Sequence, residues 1–498
     1  MRHLASRPTS SASSDHDEGT ASPTVTRTFQ RLRVRLRSLP SVRVGLVGST
    51  MVACGGLFIG RLAPTPGVQA LIHLQSGAHA ARSGFALVVC GLFVLTTGWL
   101  ALGEQVRGST DGVRRVVRAT AVWAAPLLLA PPLFSDDVWS YVAEGNLVAT
   151  GRSPYVSTPL DLSGPIVEAV NAKWVGVHAP YGPLPLAWGG AVSHLSMNPW
   201  FGLYGFRLLA LVGLAAMMLC VPRVARLAGR DPASATWLAV ASPFTLAHGI
   251  AGAHLDLVMA GLLCWALHRA VHGRWVTGAL LVGVAAAVKA PAMLVGAGIV
   301  LASLPPGVRD LRIRARRGVE VLALSTSSLL GLGVVTGLGT GWLSGLMTPL
   351  EHLSTLSLST QIGLLLGALS GARLVAPLQV VGTLLLGALT LLTVLARPSG
   401  SAPAVVSATA GVMSASVLLS PVVHYWYFLW CLPFLACAAL PSRAARVAFS
   451  MTLMLGLLAP VDLSHHIPDA STIMLGGVSA AFLAALGLPL AERSRRHR

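Results

Sequence analysis

The chain reads as an all-α polytopic membrane protein, and three observations carry that reading. Apolar runs of about 17 to 25 residues, the length of helix that crosses a hydrocarbon layer, recur from residue 44 to residue 490. Hydrophobic residues make up 54% of the 498 and charged residues only 11%, too apolar a balance to hide in one water-soluble core. The formal charge of +18 sits on arginines in short loops and tails beside the apolar runs. There it reports orientation across a membrane, and no nucleic-acid partner is expected.

Residues 1–40, rich in Ser, Thr, Arg and Pro, read as a disordered basic cytoplasmic tail. The first apolar run starts too late for an ordinary cleaved signal peptide, so it is expected to stay as a helix. Residues 41–490 form the transmembrane domain, and 491–498, ending in "ERSRRHR", a second basic cytoplasmic tail. Candidate spans are 44–61, 84–103, 116–134, 200–222, 233–250, 256–270, 275–303, 319–346, 373–396, 402–420, 425–440, 445–463 and 471–490. Arg31, Arg33, Arg35 and Arg37 place the N-terminus inside; Arg107, Arg114, Arg115 and Arg118 do the same for the second loop. Residues 135–199 then form an outer loop, which holds five of the 18 acids against only Arg152 and Lys173. The basic "RVARLAGRD" returns the chain inside, which makes "PLPLAWGGAVSHL" re-entrant or interfacial. Residues 275–303 lie between two basic segments, so two half-height helices turning at "VKAP" are expected, for about twelve to fourteen crossings in all. The six cysteines lie within apolar runs with no CxxC spacing and read as packing residues.

This topology gathers polar groups on the outer face: Asp136, Asp137, His178, Tyr181, His254, Asp256, Lys289, Glu351, His352, His424, His465 and His466. Ionisable groups near lipid are costly, so their convergence points to a polar cavity. Asp137, Tyr141 and Glu144 recur at i, i+4 and i+7 and share one face of a short helix running from Asp136 to Thr150 and stopping at Gly151. Ser135 is a good N-cap, and first-turn acids suit a helix dipole without any chemistry, so both readings stand for the two aspartates. "HAPYGPLP" is a stiff proline turn presenting His178 and Tyr181. His254 and Asp256 fall at an outer helix turn, where they orient a substrate hydroxyl or cap the helix. Lys289, one of two lysines, suits a lipid-linked phosphate, a carboxylate partner or the interface. His424 stands in "SPVVHYWYFLW", an interfacial aromatic belt or a platform for a sugar. The histidines lack HExxH spacing and no P-loop occurs, so neither a metal nor another cofactor is expected.

Three stretches, "SDDVWSYVAEGNLVATGRSPY", "APYGPLPLAWG" and "SPFTLAHGIAGAHLDLVMAGLL", followed by "AAAVKAPAMLV", resemble in order and content the polyprenyl-phosphomannose-dependent α-1,6-mannosyltransferases of the actinobacterial cell envelope. The resemblance covers most of residues 80–430. It implies a GT-C type helical bundle with a catalytic outer loop and an interfacial helix. It also implies a polyprenyl-phosphate-mannose donor, a mannan or lipomannan acceptor, contact with membrane lipid, and an active site facing the periplasm. By that resemblance Asp137 is the catalytic base, and Asp136 holds a less constrained neighbouring position. Trp139 stands where the family usually has Tyr, and Leu255 where it often has Asn.

A lipid phosphate is already a good leaving group, so such a reaction needs a base for the acceptor hydroxyl and a cation near the phosphate. Lys289 is the candidate cation, with Arg207 a weaker one. Asp136, Tyr141, His178, Tyr181, His254, Asp256 and His424 are candidate sugar or acceptor contacts. Two other readings stay open: transfer of a different lipid-linked sugar, and a transporter or flippase that only binds one.

Overall fold

The computed structural model describes residue 30, residues 33–348, residue 354 and residues 356–461. The tail at 491–498, the candidate span 471–490, and Glu351, His352, His465 and His466 lie outside the described residues. Residues 33–38, expected within a disordered tail, are helical. Arg33 and Arg37 pair there with Glu104 at 3.7 and 3.8 Å, and Arg107 binds the same carboxylate at 3.0 Å. The first two basic clusters therefore meet at one end of the bundle.

Apolar sequence produces helix throughout, and no strand occurs among the described residues. The main helices are α1 (Ser41–Ile59), α2 (Ala78–Val106), α3 (Gly112–Leu129), α4 (Asp137–Ala149), α5 (Pro183–Leu195), α6 (Pro199–Leu227), α7 (Pro232–Ala239), α8 (Leu255–Val271), α9 (Trp275–Ala286), α10 (Gly296–Ser303), α11 (Leu311–Val335), α12 (Leu358–Ser370), α13 (Val375–Ala396), α14 (Ala402–Leu419) and α15 (Ser442–Leu457). Among the described residues, six helices (α1, α2, α6, α11, α13 and α14) are long and apolar enough to cross a membrane alone. A further apolar pair is bent: a π-helical turn at Thr245–Ala251 meets α8 at 112°, the form of a broken span or a re-entrant loop. Only 11% of the apolar stretch of α13 is buried within the protein, and Leu384, Leu385, Leu391 and Leu392 are exposed on it. Such a surface requires an apolar surround, so the chain is a multi-pass membrane protein.

Several expected spans take other forms. Residues 233–250, expected as one crossing, divide into α7 and the π-turn. Residues 425–440 form a 3-10 turn at Tyr425–Trp430 and a six-residue helix at Leu432–Cys437. Helix α12, with 13 residues, forms outside every expected span. Cys54 and Cys90 are exposed on α1 and α2 and not packed inside; the other four cysteines are buried, and all six are free.

Two contacts set the frame around the site. A glycine seam lets α1 and α2 run antiparallel at backbone contact: a Cβ on Gly98 would stand 2.6 Å from the Gly45 nitrogen, and one on Gly91 2.8 Å from the Gly48 carbonyl. Trp99 of α2 stacks on Trp237 of α7 at 4.5 Å, each indole N–H donating to the other's carbonyl at 3.0 and 2.7 Å. Neither buried indole is then left with an unpaired donor.

The half-height pair expected at 275–303 is present. The chain leaves α9 at Ala287, turns through Lys289 and returns through the 3-10 segment Ala290–Val295 into α10. The two limbs lie side by side, a Cβ on Gly278 falling 3.4 Å from Ile299 Cδ1. Pro291 lacks an amide hydrogen and enforces the break. At the tip, Gly182 and Leu184 donate backbone N–H groups to the carbonyls of Val288 and Ala287 at 3.2 and 2.9 Å. The hairpin tip is thereby fastened to the turn that opens α5.

Candidate active site

Helix α4 forms where the sequence places it. Ser135 Oγ accepts the Asp137 backbone N–H at 3.1 Å, and Gly151, at φ +75°, ends the helix in a left-handed conformation. It packs on α5 at backbone range: a Cβ on Gly145 would lie 2.6 Å from the Gly189 carbonyl carbon. That contact fixes α4, and with it the position of Asp137.

Two loops flank the site, and both are strained. Phe134, three residues before Asp137, has φ +67°, and Ala253, immediately before His254, has φ +52°. Left-handed conformations cost a non-glycine residue roughly 1–2 kcal/mol, and such strain persists only when surrounding contacts overdetermine it. The Leu133 N–H donates to the Ala251 carbonyl at 3.2 Å, tying one strained loop to the other.

Between these loops sit the ionisable groups. Asp137 retains 15% side-chain exposure, and its Oδ2 lies 3.7 Å from Nδ1 of the fully buried His254. Burial lifts the Asp137 carboxyl to about 7, against the lowering pull of Lys289. Asp256, wholly buried, receives Lys289 Nζ at 2.9 and 3.2 Å and the indole N–H of Trp430. The Lys289 ammonium also faces the rings of Tyr427, Trp430 and Tyr181 at 4.5, 5.5 and 5.9 Å. Tyr181 meets Tyr141 of α4 edge-on at 5.1 Å. His254 stacks on Trp426 at 3.9 Å, and Trp426 stacks on His424 at 4.5 Å. Glu144 is buried two turns along the same helix face from Asp137, and burial, then Asp137 itself, raises its carboxyl well above the usual range.

The structure thus brings Asp137, Tyr141, Tyr181, His254, Asp256, Lys289 and His424 together from α4, the proline turn, the broken helix, the hairpin tip and the aromatic segment. Three other groups face elsewhere. Asp136 pairs with Arg61 at 3.7 Å and accepts from Asn171 Nδ2 at 3.1 Å, so its carboxylate is engaged away from the cluster. His178 is exposed and its Nε2 lies 3.0 Å from the Val156 carbonyl. Arg207 is buried and donates to the carbonyls of Leu128 and Pro131 at 2.7 and 3.2 Å, closing the end of α3. The aromatic run supplies Trp426, Tyr427 and Trp430 to the site, a role composition alone does not separate from an interfacial belt. Trp139 points into the core, its indole donating to the Arg61 carbonyl at 3.2 Å, and Leu255 is buried. Among the described residues no three His, Cys, Asp or Glu side chains gather as a metal-binding set.

This arrangement sets a carboxyl lifted to about 7, an ammonium and several aromatic faces at one site, groups that acid–base and charge-stabilising chemistry uses. Residues 42–305 match the family model "Alpha-(1->6)-mannopyranosyltransferase, N-terminal domain", and residues 352–488 match "MptB C-terminal domain". Alpha-(1->6)-mannopyranosyltransferase A of Mycobacterium tuberculosis is 30% identical over 85% of this chain and 85% of its own length. Alpha-(1->6)-mannopyranosyltransferase B of Corynebacterium glutamicum is 26% identical over 96% of this chain and 83% of its own length. No solved structure matches the chain.

Proposed function

Because the chain belongs to the alpha-(1->6)-mannopyranosyltransferase family, we propose that it elongates an α-1,6-mannan such as the lipomannan backbone, taking mannose from polyprenyl-phosphate-mannose at the outer face of the cell membrane. Asp137 removes the proton from the acceptor 6-hydroxyl as that oxygen attacks the anomeric carbon. The bond from that carbon to the phosphate oxygen breaks on the opposite face, inverting a β-linked donor to an α-linked product. Lys289 takes up the charge on the departing polyprenyl phosphate. Tyr141, Tyr181 and the rings of the 424–430 segment line the sugars.

The observation that carries this reading is the meeting of Asp137 with the Asp256–Lys289 pair at one site, with burial lifting the base to about 7. A base poised there is substantially ionised near neutrality yet still proton-hungry. The outer location is supported by the basic clusters meeting at Glu104, at the opposite end of α3 from α4. The test is transfer by purified protein from polyprenyl-phosphate-mannose, and from other lipid-phosphate sugars, to a short α-1,6-mannoside, with wild type and Asp137→Asn. Loss of a positioned base lowers the rate about 100- to 10,000-fold, so the variant should be folded and nearly inactive with mannose the preferred donor. Undiminished transfer by Asp137→Asn, or binding of donor with no new glycosidic bond, overturns it.

A further inference from the structure

His254 is the least satisfied polar side chain of the site. Its ring is fully buried, and neither nitrogen has a hydrogen-bond partner among the described residues. A buried imidazole in that state costs free energy that burial of its carbons does not require, since an apolar side chain would fill the same space. The ring is also held with little freedom. One face lies on Trp426 at 3.9 Å, in turn backed by His424. The Gly252 backbone crowds the ring, a Cβ there falling 2.9 Å from His254 Cδ2 and 3.1 Å from Nε2. The strained Ala253 sets the angle at which the side chain enters.

The ion-pairing atom facing this ring is Asp137 Oδ2, 3.7 Å from Nδ1, about half an ångström beyond a hydrogen bond. We propose that His254 is a positioning residue for Asp137: its Nδ1–H engages Oδ2 when the acceptor is bound, holding the carboxylate so that its other oxygen faces the acceptor hydroxyl. The Trp426–His424 stack and Gly252 act as the clamp on the imidazole. Catalytic hydrogen bonds are often long in the unliganded protein and shorten in the complex, and a carboxylate moves that far by rotation of its side chain alone. The inference rests on Asp137 being the base, and it adds the group that aims it.

The charged and titratable groups around Asp137 are Asp136, Tyr141 and Glu144 on its own segment, Tyr181 from the proline turn, His254 and Asp256 from the broken helix, Lys289 from the hairpin and Tyr427 from the aromatic segment. Of these, His254 is the one with no hydrogen-bond partner on either ring nitrogen; the Lys289 ammonium spends two contacts on the Asp256 carboxylate and keeps its third N–H for the phosphate.

The experiment is the pH profile of kcat and KM for transfer in wild type, His254→Leu and His254→Asn. Leu keeps bulk against Trp426 but donates nothing, whereas the Asn amide nitrogen reaches close to the position of Nδ1. The Leu variant should lose up to about 100-fold in kcat, the scale of a misplaced reacting group. Its rising limb should move upward by about one pH unit, as loss of one hydrogen bond to a carboxylate produces. Donor KM should change little, and His254→Asn should recover most of both effects. A purely structural role lowers activity without moving the limb, so limbs that coincide in all three proteins overturn the proposal. Should His254→Leu fail to fold, His254→Ala, read against His254→Asn in the same way, decides it. Asp137→Asn separates the two levels: if it remains active the base assignment falls, while if it is inactive and the His254 variants keep the wild-type limb, only the positioning role falls.

Discussion

The Asp256–Lys289 pair offers the sharpest energetic test. The carboxylate has no exposure and the ammonium 14%, so the pair belongs with buried ion pairs and not with the surface pairs worth about 0–1 kcal/mol. Breaking a buried pair by removing one partner costs about 3–5 kcal/mol, because an uncompensated charge stays behind. The two single variants should differ within that range. In Asp256→Asn the ammonium keeps the three aromatic rings around it, an environment worth about 2 kcal/mol or more when desolvated, so the loss lies near 3 kcal/mol. In Lys289→Met the carboxylate keeps only the Trp430 N–H, and the loss lies near 5 kcal/mol. The double variant leaves neither charge and should be no worse than the milder single, a coupling of about 5 kcal/mol or more. Denaturant unfolding of the purified proteins in one mild detergent, followed by tryptophan fluorescence, measures all four corners. Losses that simply add would refute the claim that the two groups compensate each other's burial.

Two further outcomes follow from the same geometry. Because Asp137 is lifted from 3.8 to about 7, the native state holds a proton that the unfolded chain has released between those values. Its contribution to stability is thus present at low pH and is lost as pH rises through that window. Asp137→Asn should therefore melt above wild type at about pH 8 and lose that advantage on acidification toward about pH 4, while wild-type transfer rises through about pH 7; a variant less stable than wild type at both pH values contradicts the burial argument. Gly145→Val places atoms against the Gly189 backbone and should cost about 1–3 kcal/mol by forcing α4 from α5, with transfer falling further than stability alone explains; unchanged activity would show that the α4–α5 contact does not set the position of Asp137.

What the sequence made legible here is local. The start and stop of α4 follow from Ser135 and Gly151, the hairpin from Pro291 beside Lys289, and the polar site groups from their rarity in an apolar chain. What it hid is long-range. Nothing near Asp136 announces that Arg61, 75 residues earlier, and Asn171 take its carboxylate. Nothing near Arg207 announces the carbonyls of Leu128 and Pro131. Adjacent aspartates on a helix start point in different directions, so one reaches the site and its neighbour braces the loop. Asp256 illustrates the same limit: its helix turn was readable, but its bond to Trp430, 174 residues later, needed the assembled bundle. Helix lengths fail for another reason, since a hydropathy window rewards long runs and passes over α12 or merges α7 with the π-turn.

The two left-handed residues, Phe134 and Ala253, lie in segments more than a hundred positions apart, yet a single amide-to-carbonyl bond between Leu133 and Ala251 braces both. Neither segment is therefore a portable module. Anyone grafting a new donor preference into this scaffold must transplant residues 131–137 and 248–256 as one unit from one parent, because a chimera carrying either alone would inherit a kink without the prop that holds it.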